Sequence, residues 1–281
     1  MPKMEVKNIL VPVDFSKCSK NALKVAIEMA RRAHAKIHMV NAVHVHTPHP
    51  DLAGGSLIDA IISDYEAQVK DSFEELEKDM IELSNVPHES DRFISYLSDA
   101  IRAETEQKDI DLIVMGTRSD HEGIERIVGT NASDIVQNSD VPVLVLPEST
   151  ESFEPKKIGF ASDFQKVADH GSYGILKWLA ALYGSEVVVF HIDDEIVNVT
   201  LEEEKEIKEI QEKLSGIKSS VRTVAAHNIE AGVIDFVDEH KLDVLALLPR
   251  KHNLFHKLFK KSHTKSLVID PVVPMLTFKD V

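Results

Sequence analysis

The chain has 281 residues, enough for one large domain or two ordinary ones, and 43% hydrophobic with 28% charged residues predicts a folded, water-soluble protein. A formal net charge of −15 disfavours nucleic acids and anionic membranes as partners, because both attract Lys and Arg. No apolar run approaches the roughly 20 residues of a membrane-spanning helix, and the first seven residues are too polar for a secretory signal. A single cysteine, Cys18, fits a reducing compartment, so we expect a cytoplasmic protein in which Cys18 is a bystander.

An internal repeat is the dominant feature of the sequence. Three landmarks occur twice in the same order: ILVPVDF at 9–15 and IGFASDF at 158–164, DLIVM at 111–115 and DVLAL at 243–247, VPVL at 141–144 and VPML at 273–276. The first pair stands 149 positions apart and the other two pairs 132, so the second copy has a shorter middle. We therefore predict two tandem domains, residues 1–150 and 151–281.

Strand and helix patterns alternate between the landmarks. In the first copy we predict a short buried strand at 9–15 that ends in Asp-Phe, further strands at 36–43, 91–96, 112–115 and 143–146, and helices at 16–32, 58–83, 98–107 and 129–138. In the second copy we predict helices at 167–183, 201–214 and 231–240, a matching strand at 158–164, strands at 187–192, 221–226 and 244–248, and a last strand that opens at Pro274. Ser16 is the expected N-cap of the first helix. Strands that alternate with helices predict an α/β fold of two tandem, doubly wound, parallel five-stranded sheets.

The last strand of each copy opens with a proline, Pro142 or Pro274. Proline belongs at the edge of a sheet, and two exposed apolar edges are a liability unless they pair. We therefore expect the copies to join through these edge strands in an intramolecular pseudo-dimer. Residues 147–157, polar and flanked by prolines, are the expected linker.

A loop at the end of the fourth strand has features of a phosphate site. In a doubly wound sheet, ligands bind at the carboxyl ends of strands where the strand order reverses. Asp14 lies at the end of the first strand, and Gly116 ends the fourth. Gly116 permits close backbone approach, and Gly129 with Thr130 opens a helix whose free N–H groups favour an anion. Such glycines also serve simply to turn the chain, so the pattern alone leaves both interpretations open.

The same residues resemble the universal stress protein family. The resemblance is carried by NILVPVDFS at 8–16, by DLIVMGTR at 111–118, by Gly129 with Thr130, and by VPVLV at 141–145, and it extends over nearly the whole chain as a tandem of two family domains. It implies a Rossmann-like fold of the adenine nucleotide alpha hydrolase type. The family signature is Gly, two residues, Gly, nine residues, Gly, then Ser or Thr. Here Gly116 and Gly129 have the required separation, Thr130 follows, and Ser119 replaces the middle glycine.

The resemblance also implies a binding site for ATP with Mg²⁺ in the first copy. It assigns the adenosine to Asp14 and to the backbone of Ala42, and the phosphates to the loop. The complete set of implied site residues is Pro12, Asp14, Ala42, Met115, Gly116, Arg118, Ser119, Gly129, Thr130 and Asn131. Asp120, where the family often has a basic residue, places a carboxylate beside the phosphates unless a cation bridges them.

The second copy lacks this loop. The spacing fits best from Pro249 to Ser262, where no glycine occurs, so we expect no ATP binding there. Residues 250–265 contain six Lys or Arg and no acid, with leucines and phenylalanines at helical spacing. They predict a helix with a solvated basic face, or else a site that docks an anion or an acidic partner; a membrane-binding or calmodulin-like role is the least favoured alternative, because the rest of the protein is so acidic.

The sequence indicates a binding protein rather than a dedicated enzyme. It contains no nucleophile elbow, no lysine-containing P-loop and no zinc-hydrolase pattern, although slow ATP hydrolysis stays an open alternative. His44, His46 and His49 lack identifiable further ligands, so we expect no metal site there. We expect an ATP-responsive stress protein whose nucleotide state alters binding of a partner protein, with further homodimerisation open. The alternative is a nucleotide-independent scaffold that docks an acidic partner through residues 250–265.

Overall fold

The computed structural model describes residues 4–44, 55–117, 130–162, 172–193, 201–248 and 273–279. The elements in chain order are β1 (Asn8–Pro12), α1 (Lys17–Ala33), β2 (Lys36–Ala42), α2 (Gly55–Asp79), β3 (His88–Phe93), α3 (Leu97–Gln107), β4 (Leu112–Thr117), α4 (Thr130–Asn138), β5 (Val143–Pro147), β6 (Lys157–Ala161), α5 (Ser172–Tyr183), β7 (Glu186–Asp193), α6 (Leu201–Lys213), β8 (Ser219–Ala225), α7 (Ile229–His240), β9 (Val244–Leu247) and β10 (Met275–Thr277). They form two compact units, one of residues 7–115 and one of the described residues in 1–6 and 116–281.

The unit of residues 7–115 contains four parallel strands in the order β3-β2-β1-β4. Ile9, Leu10 and Val11 of β1 are fully buried, as an uninterrupted apolar run requires when neighbouring strands and covering helices enclose it. Helix α1 packs on β1 and β2, and α3 packs on β2. Because the chain passes from β1 to β2 on one side and returns to β4 on the other, the strand order reverses between β1 and β4.

The other unit repeats this order. Its parallel strands run β8-β7-β6-β9-β10, and β5 pairs antiparallel with β10. Leu144 lies directly opposite Leu276, its own equivalent at the repeat offset of 132, so the pairing is symmetric about this point. The predicted fold class is therefore confirmed, including the pairing of the two strands that Pro142 and Pro274 precede. The boundary at residue 150 stays a prediction.

The repeat extends to individual hydrogen bonds. Asp111, just before β4, accepts with Oδ2 from the backbone N–H groups of residues 7 and 8, at 2.8 and 2.9 Å. Asp243, just before β9, accepts in the same way from residues 156 and 157, at 2.7 and 2.8 Å. Both aspartates thus fix the start of the first strand of their repeat beside the start of the fourth.

Two predicted elements have the wrong boundaries. The strand predicted at 91–96 lies at His88–Phe93, where Glu89 and Asp91 pair with lysine side chains instead of following an apolar alternation. The helix predicted at 58–83 begins at Gly55 and ends at Asp79, and a 3₁₀ turn at Ile81–Asn85 follows, which keeps Leu83 buried.

The predicted linker packs against its own unit rather than standing away from it. Phe153 is buried with its ring edge-on to Tyr183 of α5, at a centroid distance of 5.4 Å. The Ser185 hydroxyl donates to the carbonyl of Pro155 at 2.7 Å. The segment is therefore polar in composition but anchored by an aromatic side chain.

A cluster of charged side chains joins α3 to β2 and β3. The Lys108 ammonium lies 2.9 Å from Glu89, 2.5 Å from Asp91 and 3.0 Å from the buried Glu104. The imidazole of His38, also buried, lies 2.8 Å from Glu89. Because one cation serves three carboxylates from two elements, this cluster fixes the position of α3 on the sheet.

Candidate functional site at the strand ends of residues 7–115

The carboxyl ends of β1, β2 and β4 lie at one edge of the sheet, because the three strands are parallel neighbours. Four residues of the predicted site lie at this edge: Pro12, Asp14, Ala42 and Met115. Pro12 and Met115 are buried, so these two offer a ligand mainly their backbone groups.

Asp14 is the exposed carboxylate of this edge. Its Oδ1 accepts from the backbone N–H of Ser16 at 3.0 Å and from the Ser16 hydroxyl at 2.5 Å. Ser16 in turn caps α1 by accepting from the N–H of Ser19 at 3.3 Å, as the sequence predicts. The residue that caps α1 therefore also holds Oδ1 of the Asp14 carboxylate. A ligand hydroxyl that reached this edge could donate to the same carboxylate.

The turn that carries Asp14 is strained. Phe15 has φ +62°, in the left-handed region that costs a side chain with Cβ roughly 1–2 kcal/mol. The Phe15 ring lies edge-on to Phe73 of α2 at 5.1 Å. Strain of this kind persists only where surrounding contacts hold it, and it is characteristic of functional turns.

The N–H and C=O groups of Ala42 lie past the last residue of β1 that pairs with β2. The last bond between these strands runs from the N–H of Val13 to the carbonyl of Val40, at 2.8 Å. The N–H of Val43 donates to Phe93 of β3 at 3.0 Å, and peptide groups point alternately to the two neighbouring strands. The N–H and C=O of Ala42 therefore point toward the β1 side, where no bond to a described residue is present.

Two polar side chains that the sequence did not indicate support this edge. The amide of Asn41, 8% exposed, donates from Nδ2 to the carbonyl of Val13 at 2.7 Å. The hydroxyl of Tyr65 on α2 donates to Asn41 Oδ1 at 2.6 Å. Burial raises the pKa of the Tyr65 phenol, so the hydroxyl keeps its proton. The two side chains are 24 positions apart, and no local motif links them.

The predicted phosphate loop is described only at its ends. Gly116 is partly exposed at the end of β4, and Thr130 and Asn131 begin α4, with Asn131 exposed. The predictions for Arg118, Ser119 and Gly129 lie outside the described residues, as does Asp120.

The corresponding edge of the second repeat, the predicted copy at 151–281, has the same backbone frame: the residue after the first strand is bonded to the second strand. Ser162 follows β6, and its N–H donates to the carbonyl of Phe190 at 2.9 Å. His191 takes the place of Asn41, with Nδ1 2.8 Å from the Ser162 carbonyl. The equivalent of Asp14, Asp163, and the basic segment 250–265 lie outside the described residues.

The histidines and the cysteine singled out in the sequence are described only in part. His44 stacks on Tyr96 with ring centroids 4.0 Å apart, and His46 and His49 lie outside the described residues. Over the described ranges, no group of three metal-ligating side chains occurs, and Cys18 is buried. None of the helices described is both long and apolar enough to cross a membrane.

Comparison with known proteins identifies the family. The model of the universal stress protein family matches residues 5–147. A universal stress protein of Methanocaldococcus jannaschii is 30% identical over 141 residues, which cover 50% of this chain and 81% of the relative. Universal stress protein A homolog 1 of Coxiella burnetii is 27% identical over 144 residues, covering 51% of this chain and 97% of the relative.

A solved structure resembles the whole chain. The crystal structure of a universal stress protein from Archaeoglobus fulgidus has a TM-score of 0.70 over 98% of this chain and 97% of its own, at 17% identity. At that identity the likeness shows the fold alone, whereas the sequence matches to residues 5–147 and to the two relatives show descent. The chain belongs to the universal stress protein family.

Proposed function

We propose that the first repeat binds an adenine nucleotide, with ATP and Mg²⁺ as the preferred form, and that the second repeat does not bind one in this way. The observation that carries the proposal is the pairing of an exposed carboxylate, Asp14, with the outward-facing peptide of Ala42 at the edge where the strand order reverses. A ribose hydroxyl donates to a carboxylate. The edge of adenine needs one donor and one acceptor, and the peptide of Ala42 supplies both.

The remaining site residues fit the phosphates. Gly116 at the end of β4 leaves room for backbone approach, and Thr130 begins a helix, whose first N–H groups favour an anion. We assign Arg118, Ser119 and Gly129 to the same phosphates on the spacing of the family signature. Mg²⁺ bound to the phosphates would offset the carboxylate of Asp120.

We further propose a sensor in the cytoplasm rather than a dedicated enzyme. Nucleotide bound at this edge would touch the start of α1 through Asp14, so occupancy would change the surface that a partner protein meets. The second repeat completes the fold by pairing β10 with β5. The alternative function, a nucleotide-independent adaptor that uses residues 250–265, predicts that the protein contains no nucleotide.

Retained nucleotide tests the proposal. Freshly purified protein is denatured with acid, and the released nucleotide is identified and counted by chromatography. We expect adenine nucleotide from the wild type and none from Gly129→Trp, whereas Ser262→Trp, at the matching position of the second repeat, keeps it. Circular dichroism checks that both variants fold. Protein that neither retains nor rebinds nucleotide at millimolar ATP would favour the adaptor.

A further inference from the structure

A chain of two hydrogen bonds connects α2 to the turn that carries Asp14. It runs from the Tyr65 hydroxyl to Asn41 Oδ1, at 2.6 Å, and from Asn41 Nδ2 to the carbonyl of Val13, at 2.7 Å. The orientation of the Asn41 amide is unambiguous, because a carbonyl only accepts and an NH₂ group only donates. Tyr65 also reaches the carbonyl of Phe93, at 3.5 Å, so the chain ends on the neighbouring strand as well.

This chain holds the residue next to Asp14. The N–H of Val13 is bound to β2 and its carbonyl is bound to Asn41, so both peptide groups of Val13 are fixed. The N–H of Asp14 faces the Ser19 hydroxyl at 3.3 Å, and Phe15 follows in the strained left-handed conformation. Without the bond from Asn41, the carbonyl of Val13 is free to rotate, and the strain at Phe15 favours that relaxation.

The second repeat keeps the bond with a different side chain. His191 Nδ1 lies 2.8 Å from the carbonyl of Ser162, where Asn41 Nδ2 lies 2.7 Å from the carbonyl of Val13. The side-chain amide of Asn41 and the imidazole of His191 each place an N–H donor at nearly the same distance from the equivalent backbone carbonyl. What the frame needs at this place is therefore a donor, and either side chain supplies it.

We propose that Asn41 and Tyr65 are positioning residues of the nucleotide site, which set the direction of the Asp14 carboxylate without touching the ligand. This inference rests on the proposed function, because nucleotide affinity is its readout. Ser16 binds the Oδ1 atom of this carboxylate on one side of the turn, and the chain from α2 fixes the carbonyl of Val13 on the other side. Each bond in the chain should then contribute to affinity in the order of its distance from Asp14.

The test compares four variants by calorimetric titration with Mg²⁺-ATP, and each variant's urea midpoint records its stability separately. Asn41→Ala should weaken binding about tenfold, because an Asp14 carboxylate that is no longer well directed loses about one hydrogen bond's contribution to affinity. Asn41→His should return the affinity to within about threefold of wild type, because His191 makes the same bond in the second repeat. Tyr65→Phe should weaken binding about threefold, and His191→Ala should leave it unchanged.

Three outcomes are informative. Weak binding in Asn41→Ala with recovery in Asn41→His, accompanied by shifted amide resonances of Asp14 and Ser16, supports the inference. Unchanged affinity in Asn41→Ala, or in Tyr65→Phe if the alanine variant does not fold, overturns the inference and leaves the proposed function standing. A wild-type protein that binds no nucleotide overturns both.

Discussion

The carboxyl edges of the two repeats have the same backbone frame and differ in what surrounds it. In both, the residue after the first strand is bonded to the second strand through its N–H, and a side chain holds its carbonyl. In the first repeat the glycine-bearing sequence from 116 to 130 follows the fourth strand, whereas positions 249–262 of the second contain no glycine. The frame therefore belongs to the fold, and we propose that nucleotide binding depends on the loop that follows the fourth strand.

The largest expected effect is a loss of nucleotide affinity on substitution in the first repeat that the matching substitution in the second repeat does not cause. Asp14→Ala removes the carboxylate that we assign to the ribose, and the affinity for Mg²⁺-ATP should fall about a hundredfold. Asp163→Ala, at the matching position of the second repeat, should leave the affinity unchanged. Calorimetry measures both. Equal losses in the two variants would mean that both repeats bind nucleotide.

The shared frame should respond equally in the two repeats. Asp111→Ala and Asp243→Ala each remove a carboxylate that accepts two backbone N–H groups at 2.7 to 2.9 Å. We expect each variant to lose about 2 kcal/mol of the free energy of unfolding, measured with urea. Because the geometry matches, a loss confined to one repeat would show that the frame is not equivalent.

The backbone role of Ala42 is open to a direct test. Ala42→Pro removes the N–H that points to the β1 side and leaves the bonds between β2 and β3 in place. Affinity for adenine nucleotides should fall about tenfold, and the preference for ATP over GTP should shrink. Ile192→Pro is the matched control in the second repeat. Unchanged preference in Ala42→Pro would place the base elsewhere.

The smallest effect concerns acid stability of the first repeat. Hydrogen bonds from Lys36 and Lys108 lower the pKa of Glu89 to about 2, against an ordinary value of 4.5. The folded carboxylate resists protonation that the unfolded chain accepts, so its contribution is complete above pH 4.5 and is lost as the pH falls toward 2. In Glu89→Gln, the free energy of unfolding should therefore fall less steeply between pH 4.5 and pH 2. Because Glu89 is partly exposed, the difference from wild type should be less than about 1 kcal/mol.

The second repeat provides the comparison for that measurement. Its Lys218 pairs with Glu186 at 2.6 Å and with no other carboxylate of the described residues, and Lys218 is exposed while Glu186 is partly exposed. Because one described lysine pairs with Glu186 whereas Lys36 and Lys108 both pair with Glu89, Glu186→Gln should cost less free energy of unfolding than Glu89→Gln. If the two variants behave alike, the cluster around Lys108 has no special role.

Much of the fold follows from local patterns in the sequence. The apolar run of β1, the cap at Ser16 and the prolines before β5 and β10 each predicted a feature that the structure confirms. The strand prediction fails at β3, which has no apolar alternation: it carries Glu89 and Asp91, which pair with Lys108 from beyond α3.

The site itself is only partly accessible from sequence. Asp14 and Ala42 lie at the ends of predicted strands, so their place at the sheet edge was foreseeable. Asn41 and Tyr65 were not foreseeable, because their bond joins a strand to a helix 24 positions away. The equivalence of Asn41 and His191 appears only when both are seen against the same backbone carbonyl.

The stoichiometry of Mg²⁺-ATP binding to the intact chain tests the central difference between the repeats most directly. Calorimetric titration of nucleotide-free protein should give one site per chain, and Gly129→Trp should abolish the heat. Two sites per chain, or a single site that survives in Gly129→Trp, would contradict the assignment of binding to the first repeat.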